Sequence, residues 1–115
     1  MMENAFLRLA GCSGAAAVAL GAYGAHGMKN ASPQFIEVWK TANSYHFVHS
    51  TVLLFASLHF TGTKRKVVAG LLGSGIVLFC GSCYFVGFTQ DRGYGRLAPF
   101  GGMAFIGGWL AIALL

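Results

Sequence analysis

Four long apolar runs, over residues 6–25, 33–61, 67–88 and 98–115, take up nearly all of a 115-residue chain. They leave room for little besides membrane-spanning helices. A helix crosses the hydrocarbon core of a bilayer with about 20 apolar residues, and each run is close to that length or longer. Lipid offers no partner to a bare peptide group, so such runs must close their backbone hydrogen bonds within themselves, as helices do. Hydrophobic residues make up 56% of the sequence and charged residues 10%, whereas soluble domains average about 25% charged. The mean hydropathy is +0.63. The predicted fold class is all-α integral membrane: a four-helix transmembrane bundle with short loops, one transmembrane domain over 1–115. A soluble helical bundle would need polar stripes on the third and fourth runs, which have none.

The first run carries Ala10, Gly14, Ala17, Gly21 and Ala25 three or four residues apart, a stripe that lets helix backbones approach closely in lipid. Gly27 is expected to end this helix. Ser32 and Pro33 read as the N-cap and first helical residue of the second. The first half of that helix, with Glu37, Trp39, Lys40, Thr41, Asn43 and Tyr45, is amphipathic, and only 47–60 is apolar throughout. It is expected to start as an interfacial or bundle-facing segment and to continue as a span. A five-residue connection over 62–66 makes the second and third spans antiparallel neighbours. The third run is rich in glycine and serine (Gly70, Gly73, Ser74, Gly75, Gly81, Ser82), and after a loop over 90–96 Ala98 and Pro99 open the fourth. Trp109, near the C-terminal end, is expected at the membrane interface. Arg8 and the small residues Ala22, Gly24 and Ala25 imitate a cleavable signal, but the first run is expected to be retained as a span.

The net charge of +5 comes from basic residues scattered between the runs, with one cluster at Lys64, Arg65 and Lys66. A nucleic-acid reader needs a continuous basic face, so no nucleic acid is expected; the charges belong at lipid headgroups. Arg8 and the cluster on one side balance Lys29, Lys40, Arg92 and Arg96 on the other, and the compactness of the cluster favours both termini inside. Cys12, Cys80 and Cys83 all lie within apolar runs. Cys80 and Cys83 have C-x-x-C spacing without the second pair a zinc site requires, and read as small packing residues.

Polar chemistry concentrates at His26, ending the first span, and at Asn43, Tyr45, His46 and His49 on the second. Asn43, His46 and His49 recur every three residues, with Ser50 one turn beyond His46, so they share a helix face. That face is expected to point into the bundle, with His26, His46 and His49 near one another, because histidine in a span needs a partner or a function. Neutral imidazole can serve a metal, a haem iron or a quinone oxygen. The preferred reading is hydrogen bonding between helices, with no metal and no cofactor. His59, beside the loop, reads as interfacial. No span holds an Asp or Glu for proton-coupled transport, and no nucleophile, base and orienting residue can be assembled, so an enzyme is not expected.

Residues 21–27 (GAYGAHG), 39–49 (WKTANSYHFVH), 78–82 (LFCGS) and 98–102 (APFGG) closely resemble the transmembrane protein 256 family, over almost the whole chain. Its GAxGAHG element is matched by Gly21, Ala22, Gly24, Ala25, His26 and Gly27, and its Tyr-His-x-x-His element by Tyr45, His46 and His49. The resemblance implies about four spanning helices and residence in a bacterial or mitochondrial inner membrane, and it brings no reaction with it. The function expected is association: an accessory or structural subunit in the lipid bilayer, packed against subunits of a larger complex in a respiratory or other energy-coupling membrane. The alternative is a small-molecule site built on the histidines.

Overall fold

The computed structural model describes residues 2–115, with side chains from Asn4 onward. Its helices are α1 (Met2–His26), α2 (Pro33–His59), α3 (Gly62–Gly75), α4 (Gly81–Thr89) and α5 (Ala98–Leu114). One π-helical turn, Ile76–Cys80, joins α3 to α4 without a break, so Gly62–Thr89 is a single rod of 28 residues. Four antiparallel rods result, as the apolar runs require. Three segments, Asn4–His26, Gly62–Thr89 and Arg92–Leu114, are long and apolar enough to cross a membrane. The polar first half of α2 dilutes its hydropathy, yet α2 lies along α1 on one side and along the third rod on the other. A helix packed antiparallel along a spanning neighbour crosses with it.

The first half of α2 turns out to be bundle-facing. Phe35, Trp39, Ala42 and His46 are buried, while Glu37, Lys40, Thr41 and Ser44 stay exposed on the opposite side. The second connection is shorter than the sequence suggests. Only Phe60 and Thr61 lie outside helix, and Gly62, at φ +58°, already begins α3. A left-handed turn of that kind costs glycine little. Lys64, Arg65 and Lys66 therefore stand in the first turns of α3 instead of in a loop. Lys64 Nζ donates to the Ile112 carbonyl at 3.0 Å and sits 4.4 Å over the Phe60 ring, a cation at the negative end of the α5 dipole.

At the opposite end Pro33 opens α2 as expected, but the Ser32 hydroxyl makes no cap bond. The Ser32 backbone N–H donates instead to Gln90 Oε1 at 3.0 Å, and Arg92 donates to Gln34 Oε1 at 3.0 Å. These two bonds tie the third connection to the end of the first and to the first turn of α2.

The π turn changes which neighbour the third rod faces: α3 packs on α5, α4 packs on α2, and the turn between them touches both. An extra residue per turn rotates the faces on either side of it. Glycines set the approach. A Cβ on Gly101 would overlap the Phe79 backbone inside the π turn, one on Gly75 would overlap the Phe105 ring, and one on Gly108 would stand 2.8 Å from Leu72 Cδ2. Replacing Cys12, Cys80 and Cys83 by alanine and then labelling Lys64→Cys and Tyr94→Cys singly with an impermeant maleimide tests the topology. The two positions are expected to react from opposite sides of the membrane; reaction from one side would contradict four spans.

Candidate functional site

Trp39, Asn43, His46 and Ser50 are spaced four, three and four residues apart and so form one stripe along α2. Each finds its partner across the interface. Trp39 Nε1 donates to the Leu20 carbonyl at 2.8 Å, and Asn43 Nδ2 donates to the Ala17 carbonyl at 2.8 Å. Ser13 Oγ stands 3.0 Å from His46 Nε2 and 2.5 Å from Ser50 Oγ. As the stripe climbs α2, its partners on α1 descend turn by turn, as an antiparallel pair must. From the third rod, Tyr84 Oη accepts from Asn43 Nδ2 at 3.1 Å and meets His46 Nδ1 at 2.9 Å.

This geometry explains the glycine spacing at the end of α1. A Cβ on Gly21 would lie 2.9 Å from Asn43 Oδ1, and one on Gly24 would lie 2.5 Å from Trp39 Cδ1. The indole is closed in from the other side by Gly87, whose Cβ would come within 3.2 Å of Cε3, and by the Tyr84 ring at 4.7 Å. Neither backbone could come as near the indole with a larger residue at these positions.

The partners settle the His49 tautomer, since carbonyls only accept and indole N–H groups only donate. His49 Nδ1 lies 2.8 Å from the Tyr45 carbonyl and Nε2 receives Trp109 Nε1 at 3.1 Å, so the His49 proton is on Nδ1. His46 meets two hydroxyls, Ser13 and Tyr84, and its tautomer is assigned from the other bond that Tyr84 makes. Its oxygen already accepts from the Asn43 amide, so its own proton is satisfied by donating to His46 Nδ1; the imidazole proton is then on Nε2 and goes to Ser13.

The expected single polar face divides in two. His46 and Asn43 look toward α1 and α4, while His49 looks toward α5, its ring stacked 3.7 Å from Phe105. Tyr45 stacks beside His49 at 5.7 Å and packs on Phe79 at 4.8 Å, with its outer edge exposed. His26 is corrected: it is exposed on the last turn of α1 and faces no interior site. Trp109 keeps an exposed ring while its N–H points inward and donates to His49. His59 is exposed at the end of α2, stacked on Phe55. Among the described residues no group of three or more His, Cys, Asp and Glu side chains could hold a metal. A haem iron would have to displace a hydrogen bond at either imidazole.

Sequence reasoning passed over Ser13, Trp39 and Tyr84. Trp39 could have been found, because it continues the stripe of Asn43 and His46 by one turn. A lone tyrosine in the third run was a weaker signal, and Ser13 gave none.

Residues 20–102 match the family model described as "Protein of unknown function (DUF423)". The chain belongs to the DUF423 family. Transmembrane protein 256 is another name for it. Relatives include the UPF0382 membrane protein YwdK of Bacillus subtilis, 38% identical over 114 residues, covering 95% of this chain and 93% of the relative. A UPF0382 membrane protein of Staphylococcus epidermidis is 38% identical, covering 95% and 92%. One from Schizosaccharomyces pombe is 34% identical, covering 88% and 92%. No solved structure matches the chain. With these relatives and its three apolar spanning segments, this DUF423 chain is a small integral membrane protein. The DUF423 match takes in Trp39, Asn43, His46, His49 and Tyr84 and stops short of Ser13.

Nitrogen-15 NMR of histidine-labelled protein in bicelles tests the network. The shifts are expected to show His46 protonated on Nε2 and His49 on Nδ1; the same tautomer at both would overturn the assignment.

Proposed function

We propose that this protein works by association, as an accessory subunit packed against a larger complex in an energy-coupling membrane, with no catalytic turnover of its own. The outer face of α1 carries the proposal. Gly11, Cys12, Ala15, Ala16, Ala19, Ala22 and Ala25 are all exposed there, and α1 spends its internal contacts almost wholly on α2. Acyl chains gain nothing from small side chains, whereas a partner helix does, because its backbone comes closer and packs better. Glycines divide in the same sense. Gly75, Gly101 and Gly108 are filled by neighbours, while a Cβ on Gly11, Gly14, Gly70 or Gly102 would meet nothing within 4 Å. The polar groups favour the same reading, since both imidazoles of α2 are already engaged inside the bundle, His46 with Ser13 and Tyr84 and His49 with the Tyr45 carbonyl and Trp109. The occurrence of relatives in bacteria and in a yeast is consistent with a bacterial or mitochondrial inner membrane.

Gentle extraction of the tagged chain from its native membrane, followed by native electrophoresis, tests this. The wild type is expected in an assembly far larger than its 12.1 kDa. Ala15→Leu and Ala22→Leu are expected to release it with an unchanged Tm, whereas Gly101→Leu unfolds the bundle. A wild type that always runs alone, or outer-face variants that stay in the assembly, would end the proposal.

A further inference from the structure

Between α1 and α3 lies an open groove of about 630 Å³, lined by Leu9, Ser13, Leu53, Gly70, Gly73 and Val77 among others. Its walls are apolar, and it is separate from the outer face of α1 on which the partner proposal rests. Ser13 brings the end of the hydrogen-bonded chain to its surface. Counting hydrogens along that chain leaves one over. Asn43 Nδ2 carries two, and Tyr84, neutral His46, Ser13 and Ser50 carry one each. The bonds are five: Asn43 to Ala17, Asn43 to Tyr84, Tyr84 to His46, His46 to Ser13, and Ser13 to Ser50. The spare hydrogen resides on the serine pair, because the opposite arrangement leaves it on Tyr84, buried against Trp39. Ser50 is 4% exposed and Ser13 alone of the two lines the groove. Donation from Ser50 to Ser13 therefore turns the Ser13 hydrogen into the groove.

An unspent donor in an apolar, lipid-facing groove calls for an acceptor oxygen on an apolar molecule. Depth narrows the class. Ser13 lies 9 residues from one end and 13 from the other of the span Asn4–His26, about 14 and 20 Å at 1.5 Å per residue. The ester of a phospholipid is held near the interface by its headgroup and does not reach that level. We propose that the groove binds an uncharged carbonyl-bearing lipid without an interfacial headgroup, its oxygen accepting the spare hydroxyl hydrogen at Ser13. An isoprenoid quinone and a simple fatty ester share that chemistry.

The full chain in nanodiscs is labelled with the methyl ester of a diazirine-bearing C16 fatty acid, and in parallel with the same chain lacking the ester. Saturable labelling at Leu9, Gly70, Gly73 and Val77 is expected with the ester, and about tenfold weaker labelling with the oxygen-free chain. Ser13→Ala is expected to weaken it about tenfold, the factor that corresponds to one hydrogen bond of about 1.4 kcal/mol. Ser50→Ala leaves the Ser13 hydrogen spare and is expected to stay within about twofold on the same reasoning. Gly73→Leu fills the groove from the far wall, where a Cβ meets nothing within 4 Å, and abolishes labelling without touching the polar chain. Competition by a benzoquinone with a two-isoprene tail, stronger than by unlabelled methyl ester, assigns the site to quinones; the reverse assigns it to acyl esters. Equal labelling by the oxygen-free chain, or labelling indifferent to both Ser13→Ala and Gly73→Leu, would overturn the site.

Discussion

A bilayer core supplies no water to satisfy a side chain, and this constraint acts on one element above all: the polar stripe of α2. Trp39, Asn43, His46 and Ser50 stand at depths where α1 and the third rod are apolar, so each must find its hydrogen-bond partner in the protein. They find the Leu20 and Ala17 carbonyls, Ser13 and Tyr84. Apolar contact alone would let α1 slide on α2 with little penalty, because lipid is as good a solvent for leucine as another helix is. Directional bonds along about two turns of α1, from Ser13 to Leu20, fix the register.

The rest of the bundle follows from that register. Once Trp39 and Asn43 are seated, α1 can pass only where Gly24 and Gly21 allow, and α4 only where Gly87 allows. Tyr84 must then face α2, although the same rod has to present its first half to α5. The π turn at Ile76–Cys80 reconciles these demands, and Gly101 admits the α5 backbone against it. The outside of α1 and the groove beside it are among the surfaces that the internal network leaves uncommitted and open to a partner or a lipid.

Much of this was legible in the sequence, because spans and turns are written in hydropathy and in proline and glycine placement. Pro33, Gly27 and Ala98 mark helix ends close to where they fall. The polar face of α2 was also legible as a spacing. Its division was not: residues three apart differ by about 60° around a helix of 3.6 residues per turn, enough to send His46 to α1 and His49 to α5. His26 belongs to the glycine motif by sequence, yet it follows Ala15, Ala19 and Ala22 at helical spacing and so falls on the exposed outer face of α1. The π turn left no mark either, since Ile76, Val77, Leu78, Phe79 and Cys80 suit an ordinary helix equally well, and only the positions of Tyr84 and Phe105 force it.

The claim on which the account rests is that hydrogen bonds to the α2 stripe, beyond apolar packing, hold three helices in register. A double-mutant cycle of His46→Phe and Tyr84→Phe, read by reversible unfolding in bicelles, measures this most directly. The account predicts a coupling energy of about 1 kcal/mol or more, in the upper part of the range for hydrogen bonds between membrane helices. Strictly additive losses, with no coupling between the two side chains, would contradict it.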